Sequence, residues 1–363
     1  MTAAARRERL RALLVRHELD ALLVTTLVNV RYLTGFTGSA GELLMTADGA
    51  GDVFVTDGRY DEQSGRQVPD LARRILPAPG WLAASAVGCP RIGLEAHTVA
   101  WQRARHAESE LGRPVVAAPR LVEMLRAVKD TSEVAALRRA CAVGDAAFAD
   151  MLEWLAPGMS EREAATRLNQ AILVHGGDDR GFDIIFASGP NTAVPHHHPT
   201  HRELEAGDMV KVDFGALVDG YHSDMTRMIC LGEPTGVLRD VFAVVLQAQA
   251  AGVRAAVEGA GTAAVDAACR SVIDGAGFGD RFIHGTGHGV GLEIHEDPSV
   301  RPDREGLAVT AAPSVTLRTG MAITVEPGVY LPGVGGVRIE DDLVITPTGP
   351  DVLTRTPTEL VVL

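Results

Sequence analysis

The sequence predicts an α/β (α+β) protein built from two units, on three observations. Short helix-like and strand-like segments alternate up to about residue 125. Beyond that point two long helical stretches run into strands, and the same order then recurs. The 363 residues exceed what one core usually organises, so two domains, 1–125 and 126–363, are expected.

Each element has a local reason. Leu10, Leu13, Leu14 and His17 recur at helical spacing, which predicts an amphipathic helix over residues 5–18. ALLVTT (21–26), ELLMTA (42–47) and GDVFVTD (51–57) read as strands. At 121–139, Asp130 and Glu133 stand three apart ahead of Val134, Leu137 and Cys141, the pattern of a helix start. A second helix follows, with Ser160 and Glu163 in capping-box spacing and a stop at Gly176–Gly177. FDIIFASG (182–189) reads as a strand, and residues 208–232 as a β-hairpin turning at Asp219–Gly220. Helices over 236–258 and 262–274 come next, then the strands MAITVEPGVYL (321–331) and GGVRIEDDLVIT (335–346). Two successive blocks of helices and then strands suggest two related halves. There is no tandem repeat and no low-complexity segment.

Composition excludes several functions. Hydrophobic residues make up 46% and charged residues 22%, as in an ordinary soluble globular protein. A net charge of -13 argues against a nucleic-acid or phosphate-binding surface. Cys89, Cys141, Cys230 and Cys269 form no CxxC pair and no disulfide framework, so a reducing, cytoplasmic setting is expected. Charges at Arg11, Arg16, Glu18 and Asp20 interrupt any signal-peptide core, and no apolar run is long enough to span a membrane.

The chemistry concentrates in the second unit. Of 12 histidines, eight lie between positions 196 and 295: His196, His197, His198, His201, His222, His284, His288 and His295. Asp213 sits in KVDFGA between Val212 and Phe214, which on a strand face the other way. Asp224, in HSDMTR, lies on the returning arm of the hairpin, where antiparallel pairing would bring it beside Asp213. Glu326 ends the apolar run AITV just before Pro327–Gly328. Glu340 lies in VRIED, on the same face as Arg338. Any one of these acids alone is most simply an edge residue or half of an ion pair. Four together in apolar strands are costly unless paired or bound to metal. HGTGHGVGLEIHEDP (284–298) supplies the missing imidazole: its glycines allow close backbone approach around His288, and His295 follows within reach. It lacks the GK[ST] ending of a phosphate loop. Four carboxylates and one imidazole suit two divalent ions, Mn²⁺ foremost, with Co²⁺ or Zn²⁺ as alternatives, and such a pair does hydrolytic chemistry.

VDFGA, GYHSDMTR, HGTGHGVG, VEPGVY and GGVRIEDD, in that order, resemble the creatinase, prolidase and methionine aminopeptidase family, the pita-bread metallopeptidases. NVRYLTGFTGSAGELLM in the first unit is similar to the N-terminal domain of its Xaa-Pro peptidase branch, so the match spans essentially the whole chain. The resemblance implies a creatinase-like N-terminal domain, a pita-bread catalytic domain, proline-containing peptides as substrates and a homodimer. It implies that Asp213 chelates one ion, that Asp224 and Glu340 bridge the two, and that His288 and Glu326 hold the second. A bridging hydroxide would attack the carbonyl before proline, and Glu326 would pass a proton to the leaving nitrogen. His196 and His295 would bond to the substrate and the tetrahedral intermediate, His284 would line the pocket, and Arg338 and Tyr330 would support it. His201 and Met228 depart from the usual PTDR and TRT, and residues 299–319 form a longer segment than this branch usually has.

A methionine aminopeptidase would use the same ligands, but it usually lacks so large an N-terminal unit. Creatinase works without metal and lacks these ligands. A non-catalytic binding relative would have no need of all five. Between a dipeptidase and an aminopeptidase, the short first unit and compact pattern favour an Xaa-Pro aminopeptidase.

Overall fold

The computed structural model of the chain describes residues 1–234, 236–303 and 314–363, and it divides into two compact units, Met1–Arg126 and Ala127–Leu363. In the first unit six strands form one sheet in the order Ala72–Ile75, Val53–Thr56, Glu42–Thr46, Ala21–Val24, Ile92–Glu95, Val116–Ala118. The helix Ala3–Arg16 starts where the Thr2 side chain accepts from the Ala5 N–H, and it buries Leu10 and Leu14. The three strands expected in this unit are present. The helix Leu27–Thr34 and the edge strand Ala72–Ile75 were not foreseen. The latter is largely exposed and owes its strand form to parallel pairing with Val53–Thr56.

The second unit repeats one plan. The helices Thr131–Leu152 and Glu161–Val174 share a core with the strands Ile185–Ser188, Met209–Phe214 and Met225–Cys230, through Phe148, Leu168, Phe186, Val212 and Phe214. The helices Val237–Ala255 and Thr262–Gly275 share another with Ala322–Val325 and Asp341–Thr346, through Val241, Val245, Ile273, Ile323 and Leu343. This is the doubled order expected from the sequence. The first of these helices opens with a complete capping box: Asp130 accepts from the Ser132 and Glu133 N–H groups, and Glu133 accepts from the Asp130 N–H. Ser160 makes only half of one, accepting from the Glu163 N–H at 3.2 Å. All four cysteines are buried and unpaired. Among the described residues no helix is long and apolar enough to cross a membrane.

The hairpin turns at Asp219 and Gly220, both at positive φ (52° and 80°), as a type I′ turn requires. It does not run as one ladder. Met209–Phe214 pairs with Met225–Cys230 in one sheet, and Ala216–Val218 pairs with Tyr221–His222 in another. Gly215 stands at the change of sheet, where a Cβ would lie 1.7 Å from the Ser223 carbonyl oxygen. Gly215→Ala must therefore move backbone, and it is expected to cost about 2–3 kcal/mol. A thermal unfolding midpoint equal to that of the unchanged protein would refute this close approach. The two C-terminal strand segments are likewise split, into Ala322–Val325 and Gly328–Leu331, and into Gly335–Arg338 and Asp341–Thr346. Glu326 and Glu340 stand in those breaks.

Candidate metal centre

Val212 and Phe214 point into the core, so Asp213 points to the opposite face of its strand, where it is 6% exposed. Its partner across the ladder is Thr226, not Asp224. Asp224 lies two residues earlier, just before its strand begins, because the ladder has already broken at Gly215. Its position is held from behind, its backbone N–H donating to Asp342 Oδ2 at 2.8 Å. Thr226 works between the acids. Its hydroxyl donates to Glu340 Oε2 at 2.6 Å and accepts from Arg338 Nε at 3.1 Å. Arg338 also donates to Asp213 Oδ2.

His288 is carried on the short strand Gly287–Gly289. A Cβ on Gly287 would lie 2.1 Å from the Thr324 carbonyl oxygen, so glycine is what lets this strand approach its neighbour. The His288 Nδ1–H donates to the Gly289 carbonyl at 3.0 Å. That bond fixes the tautomer and leaves Nε2 with a free lone pair. Nε2 lies 3.6 Å from Asp224 Oδ2 and 3.5 Å from Glu326 Oε1. Ligand atoms of Asp224, His288 and Glu340 all fall within 4.8 Å of one another.

The electrostatics are those of a cluster made for cations. Burial pushes the carboxyls of Asp224 and Glu340 well above the ordinary range, and the neighbouring negative charges add to it. Burial likewise pushes Glu326 up to about 7 and His288 down to about 4. Asp213 Oδ1 and Asp224 Oδ1 are buried with no hydrogen-bond partner among the described residues. Orphaned buried carboxylate oxygens are rare and call for a ligand. Oxygen donors with one neutral imidazole fit hard or borderline divalent ions, so the residues present suit the metals their pattern implies.

Around the cluster lies a cavity of about 240 Å³ lined by Asp213, Asp224, His288, Glu326, Glu340, His196, His295 and Arg338, with Phe182, Asp183, Ile185, His197, His198 and Ile294. A second, of about 230 Å³, shares His196, His288, His295, Glu326 and Arg338 and extends to His284, Ser299 and Arg301. The His295 ring packs edge-on to His288, centroids 4.4 Å apart. Burial lowers both His196 and His295, favouring neutral imidazoles. Tyr330 lines neither cavity. It is buried behind them, its hydroxyl accepting from Arg338 Nη1 at 2.9 Å and donating to His284 Nε2 at 2.8 Å. That direction follows because the His284 Nδ1–H is spent on the Gly285 carbonyl at 2.7 Å. The chain His284–Tyr330–Arg338–Asp213 thus ties the pocket wall to the acids.

Some contributors were not singled out from the sequence. Asp342, pushed up to about 7 by burial, holds the Asp224 backbone. It stands two residues beyond Glu340, so its strand position was a signal. Lys211, two residues before Asp213, is fully buried and bonds to the carbonyls of Thr192, Val194 and Pro195. Glu161 gave no signal, since an acid in the first turn of a helix is ordinary. Of the long segment expected over 299–319, residues 304–313 lie outside the described residues.

Comparison with known proteins converges with this geometry. Residues 135–347 match the profile of metallopeptidase family M24, and residues 6–128 match the creatinase/prolidase N-terminal domain. The uncharacterised peptidase YqhT of Bacillus subtilis is 39% identical over 363 residues, covering 98% of this chain and 99% of its own. The structure of an Xaa-Pro dipeptidase from Bacillus anthracis superposes with a TM-score of 0.94 at 37% identity, covering 100% of both chains. That of an X-Pro aminopeptidase from Thermotoga maritima does so with a TM-score of 0.87 at 31% identity, covering 98% of this chain and 99% of that one.

Proposed function

The chain belongs to metallopeptidase family M24, with a creatinase/prolidase N-terminal domain before the catalytic one, and from that premise we propose that it hydrolyses the peptide bond between a residue and the proline after it. The observation that carries the reading is the set of buried acids, two with orphaned oxygens, gathered around His288 in a cavity also lined by four further imidazoles, His196 and His295 among them.

Asp213, Asp224, His288, Glu326 and Glu340 would hold two divalent ions, Mn²⁺ foremost. When bound, such ions supply Lewis-acid polarisation of a carbonyl and a nucleophilic hydroxide at neutral pH. The chain's own groups do the rest. His196 and His295, kept neutral by burial, offer N–H donors to the oxygen on which charge develops. Glu326 lines both cavities and carries the proton to the leaving nitrogen. Arg338 fixes Asp213 while spanning to Tyr330. A proline nitrogen has no N–H to give a strand-like binding groove, so a shaped pocket is the natural way to hold the ring.

For chain length we take an Xaa-Pro dipeptide as the preferred substrate. The Bacillus anthracis relative named as a dipeptidase supports this across the whole chain. So does Arg301 in the wall of the second cavity, a guanidinium suited to a carboxylate placed directly after proline. The aminopeptidase expected from the sequence has its own support, since the second cavity continues past the acids and the Thermotoga maritima relative is named as an aminopeptidase. The Mn²⁺-loaded protein should cleave Xaa-Pro faster than Xaa-Pro-Yaa when both are offered side by side. Equal or faster cleavage of the tripeptide would make it an aminopeptidase, and cleavage of neither would overturn the proline reading.

A further inference from the structure

His196 sits on a stretch with little regular structure: a 3₁₀ turn covers Gly189–Ala193, and residues 196–200 belong to no helix or strand. An imidazole that must meet a developing charge needs a fixed position, since a misplacement of about 1 Å can cost about 100-fold in rate. Something outside the stretch has to hold it.

Glu161 is the first residue of the helix Glu161–Val174 and is 0% exposed. It does not cap that helix, because Ser160 does. Its carboxylate reaches away to the His196 segment and accepts six hydrogen bonds there. Oε1 takes the Ser188 N–H and hydroxyl at 2.8 and 2.8 Å and the Asn191 amide at 2.9 Å. Oε2 takes the His197 Nε2–H at 2.8 Å and the Thr200 N–H and hydroxyl at 3.0 and 2.7 Å. From the other side Lys211 Nζ donates to the carbonyls of Thr192, Val194 and Pro195, at 3.2, 2.7 and 3.2 Å. Arg338 Nη1 adds a bond to the Pro195 carbonyl at 3.2 Å. One anion therefore gathers the segment's donors and two cations gather its acceptors, with His196 between Pro195 and His197. Burial alone would raise the Glu161 carboxyl, but bonds from Asn191, His197 and Thr200 outweigh it and hold it down at about 2.

We propose that Glu161 is a positioning residue for His196, acting through His197 and the 188–200 segment to set kcat without touching substrate or metal. This rests on the reading of His196 as a group that bonds to the substrate. Glu161→Gln keeps the shape but turns one acceptor oxygen into an amide that faces donors. It is expected to lower kcat on an Xaa-Pro dipeptide about 100-fold, with KM within about twofold and metal content unchanged. In a His196→Ala background the same change should cost less than about threefold more, because both act in one unit. A full further loss there, or a matching loss of bound metal, would overturn the proposal.

A second pair guards against misfolding. His197→Leu should lower kcat as Glu161→Gln does, while His197→Gln, whose amide can donate to the same oxygen, should recover most of it. Failure of that recovery also counts against the proposal. Amide hydrogen exchange over residues 188–200 separates this idea from the functional reading. Faster exchange in Glu161→Gln supports the hub, and unchanged exchange sinks it. Absence of Xaa-Pro cleavage by the unaltered protein would sink the functional reading alone.

Discussion

Glu340→Gln is expected to lower kcat/KM on an Xaa-Pro substrate by about 10³-fold or more, because the ion chemistry it would help to hold supplies several kcal/mol of transition-state stabilisation. The substitution is nearly isosteric. The hydroxyl of Thr226 can still donate to the remaining oxygen of residue 340, as it does now at 2.6 Å. The backbone there is tied separately, the Glu340 N–H to the Thr226 carbonyl and the Glu340 carbonyl to Arg227. The fold should therefore survive, and the loss should be accompanied by less bound metal per chain, read by elemental analysis. Asp224→Asn should behave alike, since Asp342 continues to hold its backbone. Either variant retaining full activity would remove the two-ion assignment.

Complete chelation should take activity to background and lower the thermal unfolding midpoint by about 10 °C, and Mn²⁺ should restore both. The second effect follows from the first. Asp213, Asp224, Glu326 and Glu340 are crowded together, and burial already disfavours charge on Asp224, Glu326 and Glu340. A ligand held only by the folded chain at a thousand times its dissociation constant contributes about 4 kcal/mol, which at about 2–4 °C per kcal/mol gives that shift. Activity that outlasts removal of all metal would point to a metal-free mechanism. An unchanged midpoint would mean the acids are neutralised some other way.

What the sequence made legible was whatever is local. The helix start at Asp130 and Glu133 involves four consecutive residues, and the turn at Asp219–Gly220 involves two. Asp213 and Glu326 stood out because a charge amid Val, Ile and Phe breaks a pattern visible without a partner. The rest depended on partners far along the chain. Nothing near ARRI announces a strand, because its ladder is completed by Val53–Thr56. The split at Ile339–Glu340 carries neither glycine nor proline, and it is imposed by the bond from the Glu340 N–H to Thr226. Asp224 was expected beside Asp213, but the two-residue turn at Asp219–Gly220 sets one register for both ladders, and that register places Thr226 opposite Asp213, with Asp224 two residues off. Glu161 was invisible because its six donors lie between 27 and 39 residues away.

The doubled plan of the second unit has a consequence for how the protein is made. Asp213 and Asp224 come from its first helix-and-sheet half, while His288, Glu326 and Glu340 come from its second. One of the bonds between the two halves, Thr226 to Glu340, spans 114 residues of sequence. On the proposed ligand set, a nascent chain on the ribosome therefore exposes two of the five groups early and cannot complete the set until Glu340 has been synthesised. Capture of ions by that set would thus wait for Glu340, and a chain cut short before it would lack the means to hold them.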